Sequence, residues 1–182
     1  MTRISIREAR SDEFGALNAI EMDALTALID AGVPIPGAPT ALSHDMLGRI
    51  SKTECLLVAS DATDKPVGFI AAEVIEAMFY IAEIDVVRSL QGKGIGRRLI
   101  AAVMSVAKSR GLTGLALTTY RFAPFNYSFY LSIGFEEAQR GTIPIWLQQR
   151  LADEAKSGLL TERRVAMMLM FPPEPRGPAH AA

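Results

Sequence analysis

The chain has 182 residues, of which 49% are hydrophobic and 21% are charged, and its formal net charge is −1. This length suits one domain with a sizeable core, and the near-neutral charge gives no overall attraction to nucleic acid or to an anionic membrane surface. The single cysteine, Cys55, cannot form an internal disulfide, and two histidines without a C-x-x-C pair argue against a zinc site. Because there is no apolar secretion signal and no apolar run of ~20 residues, we predict a soluble cytoplasmic domain without metal.

The first half of the chain predicts one strand, two helices and then three strands in quick succession. The segment "ISIREA" alternates apolar and polar side chains as a strand does, and Ser11 and Asp12 are candidates to cap the helix after it. That helix has apolar positions at Phe14, Leu17, Ile20, Leu25 and Leu28. The segment "AGVPIPGAP" ends it, and residues 40–51 predict a short second helix. The strands "ECLLVAS", "VGFIAAEVIE" and "MFYIAEIDVV" then predict an antiparallel meander.

The second half predicts helices alternating with single strands. A helix follows "RSLQGKGIGRRL", since Ile95, Leu99, Val103 and Val106 recur at steps of three and four, and Gly111 ends it. The remaining elements are a strand "LTGLALTTY", a short helix from Asn126 to Tyr130, a strand "FEEAQ", a helix "IPIWLQQRLADEAKS" and a strand "RRVAMMLMF". We predict one mixed α/β (α+β) domain over residues 1–171 with a mostly antiparallel sheet, and a disordered Pro/Ala-rich tail over 172–182.

An acidic segment runs directly into a basic one in the middle of the chain. Residues 73–85 contain Glu73, Glu76, Glu83 and Asp85 but no Lys or Arg. Residues 88–98 contain Arg88, Lys93, Arg97 and Arg98 but no acid. This pattern is typical either of two solvated faces or of an anion site beside a cation site.

Three glycines at alternate positions, Gly92, Gly94 and Gly96, lie between a predicted strand and a predicted helix. The first N–H groups of a helix lack internal partners and carry partial positive charge, so they can bind an anion, and glycine lets a phosphate approach the backbone. The spacing matches neither G-x-x-x-x-G-K-[ST] nor the dinucleotide fingerprint G-x-G-x-x-G. On local grounds a phosphate site and a plain connection between strand and helix are both open.

Two blocks of sequence resemble the GNAT superfamily of N-acetyltransferases. The acyl-CoA loop of that family begins with Gln or Arg, then has two residues, Gly, one residue, and Gly or Ala; Gln91, Gly94 and Gly96 match it in "VVRSLQGKGIGRRLI". The second block, "ALTTYRFAPFNYSFYLSIGFEEA", is similar to the fifth strand of the family, its following helix and its terminal Tyr…Gly-Phe element. The element order from residue 3 to residue 171 also matches.

The resemblance implies a twisted, mostly antiparallel sheet of six to seven strands, splayed at the cofactor site, with helices on both faces. Acetyl-CoA, as co-substrate, would lie in the gap, with the backbone of Val86 and Val87 beside its pantetheine arm. The pyrophosphate would rest on the loop residues Gln91, Gly92, Lys93, Gly94, Ile95, Gly96 and Arg97. Arg88, Arg97 or Arg98 would be left for the outer phosphate.

The resemblance also assigns candidate catalytic residues. Tyr130 matches the tyrosine that often protonates the departing thiolate, although it can equally be an aromatic packed on its helix. Glu83 is the candidate base, directly or through a water, with Asp85 as an alternative; strict alternation places Glu83 and Asp85 on one strand face and Tyr80, Ala82 and Ile84 on the other. Carboxylates on a solvated sheet face are the structural alternative.

One position departs from the family pattern. Many relatives have an asparagine seven residues before the tyrosine, but Ala123 stands there, and Asn126 lies only four residues before Tyr130. Asn126 is therefore a candidate helix cap, a cofactor contact, or both. Cys55 is predicted to pack in the interior, and so are Trp146, Phe122, Phe125 and Tyr127, which have a pocket wall as their second role.

The sequence thus predicts an acetyl-CoA-dependent N-acetyltransferase that moves an acetyl group directly to a primary amine of a small molecule or peptide. A non-catalytic acyl-CoA-binding or interaction module on the same fold is the main alternative, and a nucleotide-binding protein is a third. Residues 11–51 are expected to supply acceptor specificity, and their acidic residues favour a small cationic amine. The acceptor and the oligomeric state stay open; a homodimer is compatible with the terminal strands.

Overall fold

The structure is a computed structural model that describes residues 3–38, 40–123, 125–139, 141, 143–159 and 163–172. Residues 173–182, which make up nearly all of the predicted tail, lie outside the described residues. The strands are β1 (Ser5–Glu8), β2 (Cys55–Ser60), β3 (Pro66–Ile75), β4 (Met78–Val86), β5 (Gly114–Tyr120), β6 (Glu136–Glu137) and β7 (Arg164–Met170). The helices are α1 (Phe14–Asp30), α2 (His44–Thr53), α3 (Ile95–Ser109), α4 (Tyr127–Leu131) and α5 (Ile145–Lys156).

These strands form one seven-stranded sheet in the order β1-β2-β3-β4-β5-β7-β6. Every neighbouring pair is antiparallel except β4 and β5, which are parallel and are joined by α3. A helix is the usual connection between parallel strands, because the chain must return to the same end of the sheet. The predicted mixed fold with a mostly antiparallel sheet is therefore confirmed.

The sheet opens between β4 and β5. These strands pair only where they begin, from Met78 opposite Gly114 to Tyr80 opposite Ala116. Beyond that point β4 continues to Val86 and β5 to Tyr120 without pairing, so the two strands enclose a gap. The opening starts beside a bulge in β4, because Ala72 faces Ile81 while Ala71 faces Glu83, which leaves Ala82 as the extra residue.

Helices cover both faces of the sheet. The apolar stripe of α3 packs on one face together with Phe79, Ile81 and Phe135. On the other face, α1 and α2 pack against β2 and β3, and Leu147 of α5 packs against Met78 and Tyr80. The gap between β4 and β5 is therefore bordered by helices that belong to both layers.

The N-terminus of α1 differs from the prediction. Ser11 and Asp12 lie in a single 3-10 turn, Ser11–Glu13, and neither side chain caps the helix. The buried carboxylate of Glu13 instead accepts hydrogen bonds from the Arg10 amide at 2.8 Å and from the Arg7 guanidinium at 2.6 and 2.9 Å. Glu13 therefore fixes the helix start, through a local capping contact with the Arg10 amide and an ion pair with Arg7 of β1.

Among the helices of the described residues, none combines the length and the apolar character that a membrane crossing requires.

Candidate functional site

A cleft of about 890 Å³ occupies the gap between β4 and β5. Its walls come from α1, the segment 35–40 that follows it, both splayed strands, the start of α3, α4, and the C-terminal end of α5. Most predicted site residues line this cleft: Glu83, Val86, Gln91, Gly92, Gly94, Ile95, Gly96, Arg97, Asn126 and Tyr130. The fold therefore gathers residues that are up to 47 positions apart in sequence, from Glu83 to Tyr130.

The glycine loop, residues 91–97, leads from β4 into α3. Gly92 and Gly94 adopt φ of +73° and +79°, a left-handed conformation that side chains other than glycine rarely adopt, and a Cβ at either would have open space around it. Gly94 occupies the N-cap of α3, and the first intrahelical bond is the one that the Arg98 amide donates to the Gly94 carbonyl at 3.2 Å. The amides of Ile95, Gly96 and Arg97 are thus the unpaired N–H groups of a helix start.

Gly96 is a glycine for a different reason. It lies within the first turn of α3, and a Cβ there would approach the ring of Phe129 on α4 to 3.2 Å. This close packing holds α4 against the start of α3. Two of the three alternate glycines therefore serve the loop conformation, and the third serves the contact between the helices.

Among the described basic side chains near the loop, Arg97 lines the cleft and the others do not. Its guanidinium donates to the carbonyl and the hydroxyl of Ser132 at 3.1 and 2.9 Å. Arg88 instead pairs with Asp30 of α1 at 2.5 Å, and Arg98 donates to the Ile4 carbonyl at 2.7 Å. Lys93 donates to the Ser89 carbonyl at 3.1 Å and does not line the cleft. This arrangement leaves Arg97 as the candidate for a phosphate, and it turns Arg88, Arg98 and Lys93 away from that role.

The backbone at the end of β4 distinguishes Val86 from Val87. The Val87 N–H donates to the Val67 carbonyl and the Val87 carbonyl accepts from Leu90, both at 2.9 Å, so the chain itself uses both groups. Since antiparallel pairs alternate, the backbone groups of Val86 point away from β3 and into the gap. The Val86 carbonyl accepts from Gln91 Nε2 at 3.0 Å, a bond that fastens the glycine loop to β4.

The bulge at Ala82 changes which side chains share a face. Glu73 faces Tyr80, Ala71 faces Glu83 and Phe69 faces Asp85 across the β3–β4 pair. Residues opposite one another lie on the same face, and Phe69 and Ala71 belong to the cluster under α1 and α2. Tyr80 therefore lies on the same face as Glu83 and Asp85, and the prediction that it lies opposite them was wrong, because the extra residue shifts the alternation by one.

The carboxyls of Glu83 and Asp85 lie within reach of each other, so either one can donate a hydrogen bond to the other when it is protonated. Burial raises the pKa of both carboxyls, and the charges of Glu83 and Glu21 raise that of Asp85 further. Asp85 Oδ2 is buried and has no hydrogen-bond partner among the described residues. Within the same residues no group of His, Cys, Asp or Glu is arranged to hold a metal ion.

Glu21, on α1, is a residue of the site that the sequence analysis did not single out. It lines the cleft, and its carboxylate accepts the Leu42 amide at 3.0 and 3.2 Å. Burial, and then the charge of Glu83, raise its pKa to about 7. Its helical spacing from Ala24, Leu25 and Leu28 places it on the face of α1 that lines the cleft, but the sequence does not show which face of the helix that is.

Tyr130 packs edge-on against Phe129 and Phe135, with ring centroids 5.2 and 5.6 Å away. It is buried and lines the cleft, and its hydroxyl has no hydrogen-bond partner among the described residues. Burial raises the pKa of this phenol, and the charges of Glu83 and Asp85 add to the effect. The hydroxyls of the other two cleft tyrosines are engaged, Tyr80 with Thr118 at 3.1 Å and Tyr120 with the Pro34 carbonyl at 3.4 Å.

The α4 region corrects several expectations. Asn126 occupies the N-cap position and lines the cleft, but its side chain caps nothing, so the predicted cap is wrong and the cofactor contact stays a prediction. Phe122 is 70% exposed rather than interior, and Phe125 is 41% exposed and lines the cleft. Tyr127, by contrast, packs partly buried against the core as predicted, and its hydroxyl donates to Glu137 at 2.9 Å outside the cleft.

Two further residues lie away from the cleft, as predicted. Cys55 is buried in the core, and burial raises the pKa of its thiol to about 11, which makes it a poor nucleophile. Trp146 packs edge-on against Tyr80 with centroids 6.0 Å apart.

Known structures of the same fold include several enzymes. The PaiA N-acetyltransferase of Thermoplasma acidophilum, solved in complex with coenzyme A, superposes with a TM-score of 0.71 at 16% identity, covering 93% of this chain and 99% of that one. Rv2747 of Mycobacterium tuberculosis, in complex with CoA and NLQ, gives 0.66 at 17% identity, covering 92% and 99%. The ribosomal-protein-S18-alanine N-acetyltransferase of Escherichia coli gives 0.65 at 18% identity, covering 96% and 100%.

The family itself is established by sequence. A model of the Acetyltransferase (GNAT) family matches residues 18–135, the stretch that runs from α1 through the glycine loop to the end of α4. Because this match covers more than half of the chain and includes most of the residues that line the cleft between β4 and β5, the protein belongs to the acetyltransferase (GNAT) family.

Proposed function

We propose that the protein is an acetyl-CoA-dependent N-acetyltransferase that transfers the acetyl group directly to a primary amine of a small molecule or peptide. One observation carries this proposal: a single cleft has unpaired helix amides at one end and a buried tyrosine beside two carboxyls at the other. Coenzyme A in the related structures named above supports the same donor.

The donor end fits a pyrophosphate. The amides of Ile95, Gly96 and Arg97 lack internal partners, the α3 dipole favours an anion, and Gly92 and Gly94 leave the approach free of side chains. Arg97 adds a cation at the rim of the cleft. The backbone of Val86 faces the gap and is available to an amide of the pantetheine arm, while Gln91 holds the loop in place.

The acceptor end fits the proton transfers of acetyl transfer. Bound acetyl-CoA supplies a reactive thioester, and the amine must lose a proton because an alkylamine with a pKa near ~10 is mostly charged at neutral pH. Glu83, once ionised, accepts that proton directly or through a water. The Tyr130 hydroxyl has no partner among the described residues and has the raised pKa of a group that stays protonated, so it can donate its proton to the departing thiolate.

The test is a thiol-release assay with acetyl-CoA across alkylamines, amino acids, polyamines, aminoglycosides and peptide N-termini. Thiol release that depends on both the protein and an amine is the expected result. If coenzyme A binds but no amine gives thiol release, the protein is a non-catalytic acyl-CoA-binding module. If ATP competes with coenzyme A at comparable affinity, the cleft is a nucleotide site instead.

Replacing Gly94 with valine is expected to weaken acetyl-CoA binding by at least about tenfold. A β-branched residue is strained at φ +79°, and its side chain would stand where the phosphate approaches the amides. Isothermal titration calorimetry measures the change.

The matched control is Gly111→Val at the opposite end of the same helix. Gly111 has φ +69° and equally open surroundings, so the backbone strain is alike while the cleft is distant. Equal acetyl-CoA affinity in Gly94→Val and wild type, or an equal loss in both variants, would contradict the phosphate site.

A further inference from the structure

The part of the cleft around Glu83, Asp85 and Tyr130, called the acceptor end, carries more acidic than basic side chains. Among the described residues its acids are Glu21, Glu83, Asp85 and Glu154. The cation beside them is Arg164, whose guanidinium already donates to both Glu154 oxygens at 2.9 and 3.0 Å and to Thr118 at 2.9 Å. Within the described residues, an acceptor that carries its own carboxylate would meet no free cation there, whereas a second ammonium would meet Glu21, Glu83 and Asp85, for which no ion pair is seen.

A separate observation points to a ligand at the same place. Asp85 Oδ2 is buried, lines the cleft and has no hydrogen-bond partner in the described part of the chain. A buried polar atom without a partner costs about 1–3 kcal/mol, and a bound donor removes that cost. An amine or ammonium in the cleft supplies such a donor.

Glu21 is placed to distinguish acceptors. Its pKa of about 7 reflects burial beside Glu83, and no cation is among the groups that act on it. On the same face of α1, and on the segment that follows, Leu25, Leu28, Ile35 and Pro36 give the cleft an apolar wall suited to an aliphatic chain.

Glu21 also fixes that wall. Its carboxylate accepts the Leu42 N–H at 3.0 Å, and Asn18 Nδ2 donates to the Leu42 carbonyl at 2.9 Å, so α1 holds both backbone groups of one residue. Before the segment 35–40, the Pro34 carbonyl accepts a hydrogen bond from the Tyr120 hydroxyl. The carboxylate thus serves both the shape and the charge of the acceptor end.

From these contacts, and on the basis of the proposed function, we propose that the acceptor is a diamine with an aliphatic chain between its amino groups. One amine reacts beside Glu83 and Tyr130, and Glu21 binds the second, which stays an ammonium. Glu21 is therefore a specificity-determining residue of the enzyme.

The test compares three acceptors of similar length: putrescine, butylamine and γ-aminobutyrate. We expect kcat/KM to be higher for putrescine than for butylamine by roughly tenfold or more, the effect of a hydrogen bond to a charged group, and lowest for γ-aminobutyrate. Equal kcat/KM values for putrescine and butylamine, with thiol release still observed, would refute the diamine proposal but not the proposed acetyltransferase activity. Absence of thiol release with every amine would overturn the proposed function and this inference together.

The variant Glu21→Gln separates the effect of the negative charge of Glu21 from the effect of its hydrogen bond to Leu42. A glutamine oxygen still accepts the Leu42 amide, so the wall is retained while the negative charge is lost. We expect the ratio of kcat/KM between putrescine and butylamine to fall towards one, mainly through KM for putrescine. Asp12→Asn removes an acid whose side chain is 81% exposed and outside the cleft, and it should keep the wild-type ratio.

A second measurement does not depend on turnover. Putrescine alone, without acetyl-CoA, should raise the Tm of the wild type more than it raises the Tm of Glu21→Gln. Asn18→Ala keeps the Glu21 charge, so putrescine should raise its Tm as it does that of the wild type. A wild-type kcat/KM ratio in Glu21→Gln, or an equal Tm shift in Glu21→Gln and wild type, would rule out Glu21 as the ammonium site.

Discussion

Tyr130→Phe is expected to lower kcat by roughly a hundredfold to ten-thousandfold while the Kd for acetyl-CoA stays nearly unchanged. Positioned acids and bases contribute factors of this size, and the Tyr130 hydroxyl lines the cleft without a hydrogen-bond partner among the described residues. Phenylalanine keeps the ring that packs against Phe129 and Phe135, so the fold and the donor end should be retained. Steady-state thiol release gives kcat, and calorimetry gives the Kd.

The matched control is Tyr127→Phe on the same helix. Its hydroxyl donates to Glu137 at 2.9 Å and does not line the cleft, so its loss should change stability slightly and kcat little. The role of Tyr130 as the acid would be refuted by a kcat equal to that of wild type. Tyr120→Phe would then test the next cleft hydroxyl, which makes only a 3.4 Å contact to Pro34.

Features that depend on neighbouring residues could be predicted from the sequence. The spacing of Ile95, Leu99 and Val103 determines which face of α3 is buried, and all three are buried in the core. The alternate glycines before that helix indicated where backbone is exposed at a helix start. Gly92 and Gly94 adopt the left-handed conformation that explains why no other residue stands there.

Features that depend on distant residues or on sheet irregularity could not be predicted in the same way. A bulge such as that at Ala82 leaves no mark in the alternation of β4, yet it moves Tyr80 to the face of Glu83. The ion pair between Arg88 and Asp30 joins residues that no pattern relates, and it engages the guanidinium of a residue that was a candidate for the outer phosphate. Glu21 is one of several acids on a helix, and only its packing beside Glu83 separates it from the solvated ones.

Glu83→Gln is expected to lower kcat at pH 7 by roughly a hundredfold to ten-thousandfold, and the loss should shrink as the pH rises towards ~10. The base acts only when it is ionised, so the activity of the wild type should rise with pH through the raised pKa of the Glu83–Asp85 pair. Near pH ~10 the free amine needs no base. Because the pKa of Tyr130 is raised as well, the acid stays protonated in this range, and the falling limb lies at higher pH.

Comparison with Asp85→Asn decides which carboxyl is the base. An asparagine can donate a hydrogen bond to Glu83 as a protonated Asp85 does, so this variant should retain more activity than Glu83→Gln at pH 7. The pH at which its activity rises should change little, because the hydrogen bond from position 85 that lowers the pKa of Glu83 is retained. A loss in Glu83→Gln that is the same at every pH would make Glu83 a positioning residue rather than the base. If the loss of kcat becomes smaller with rising pH in Asp85→Asn but not in Glu83→Gln, the proton is accepted by Asp85.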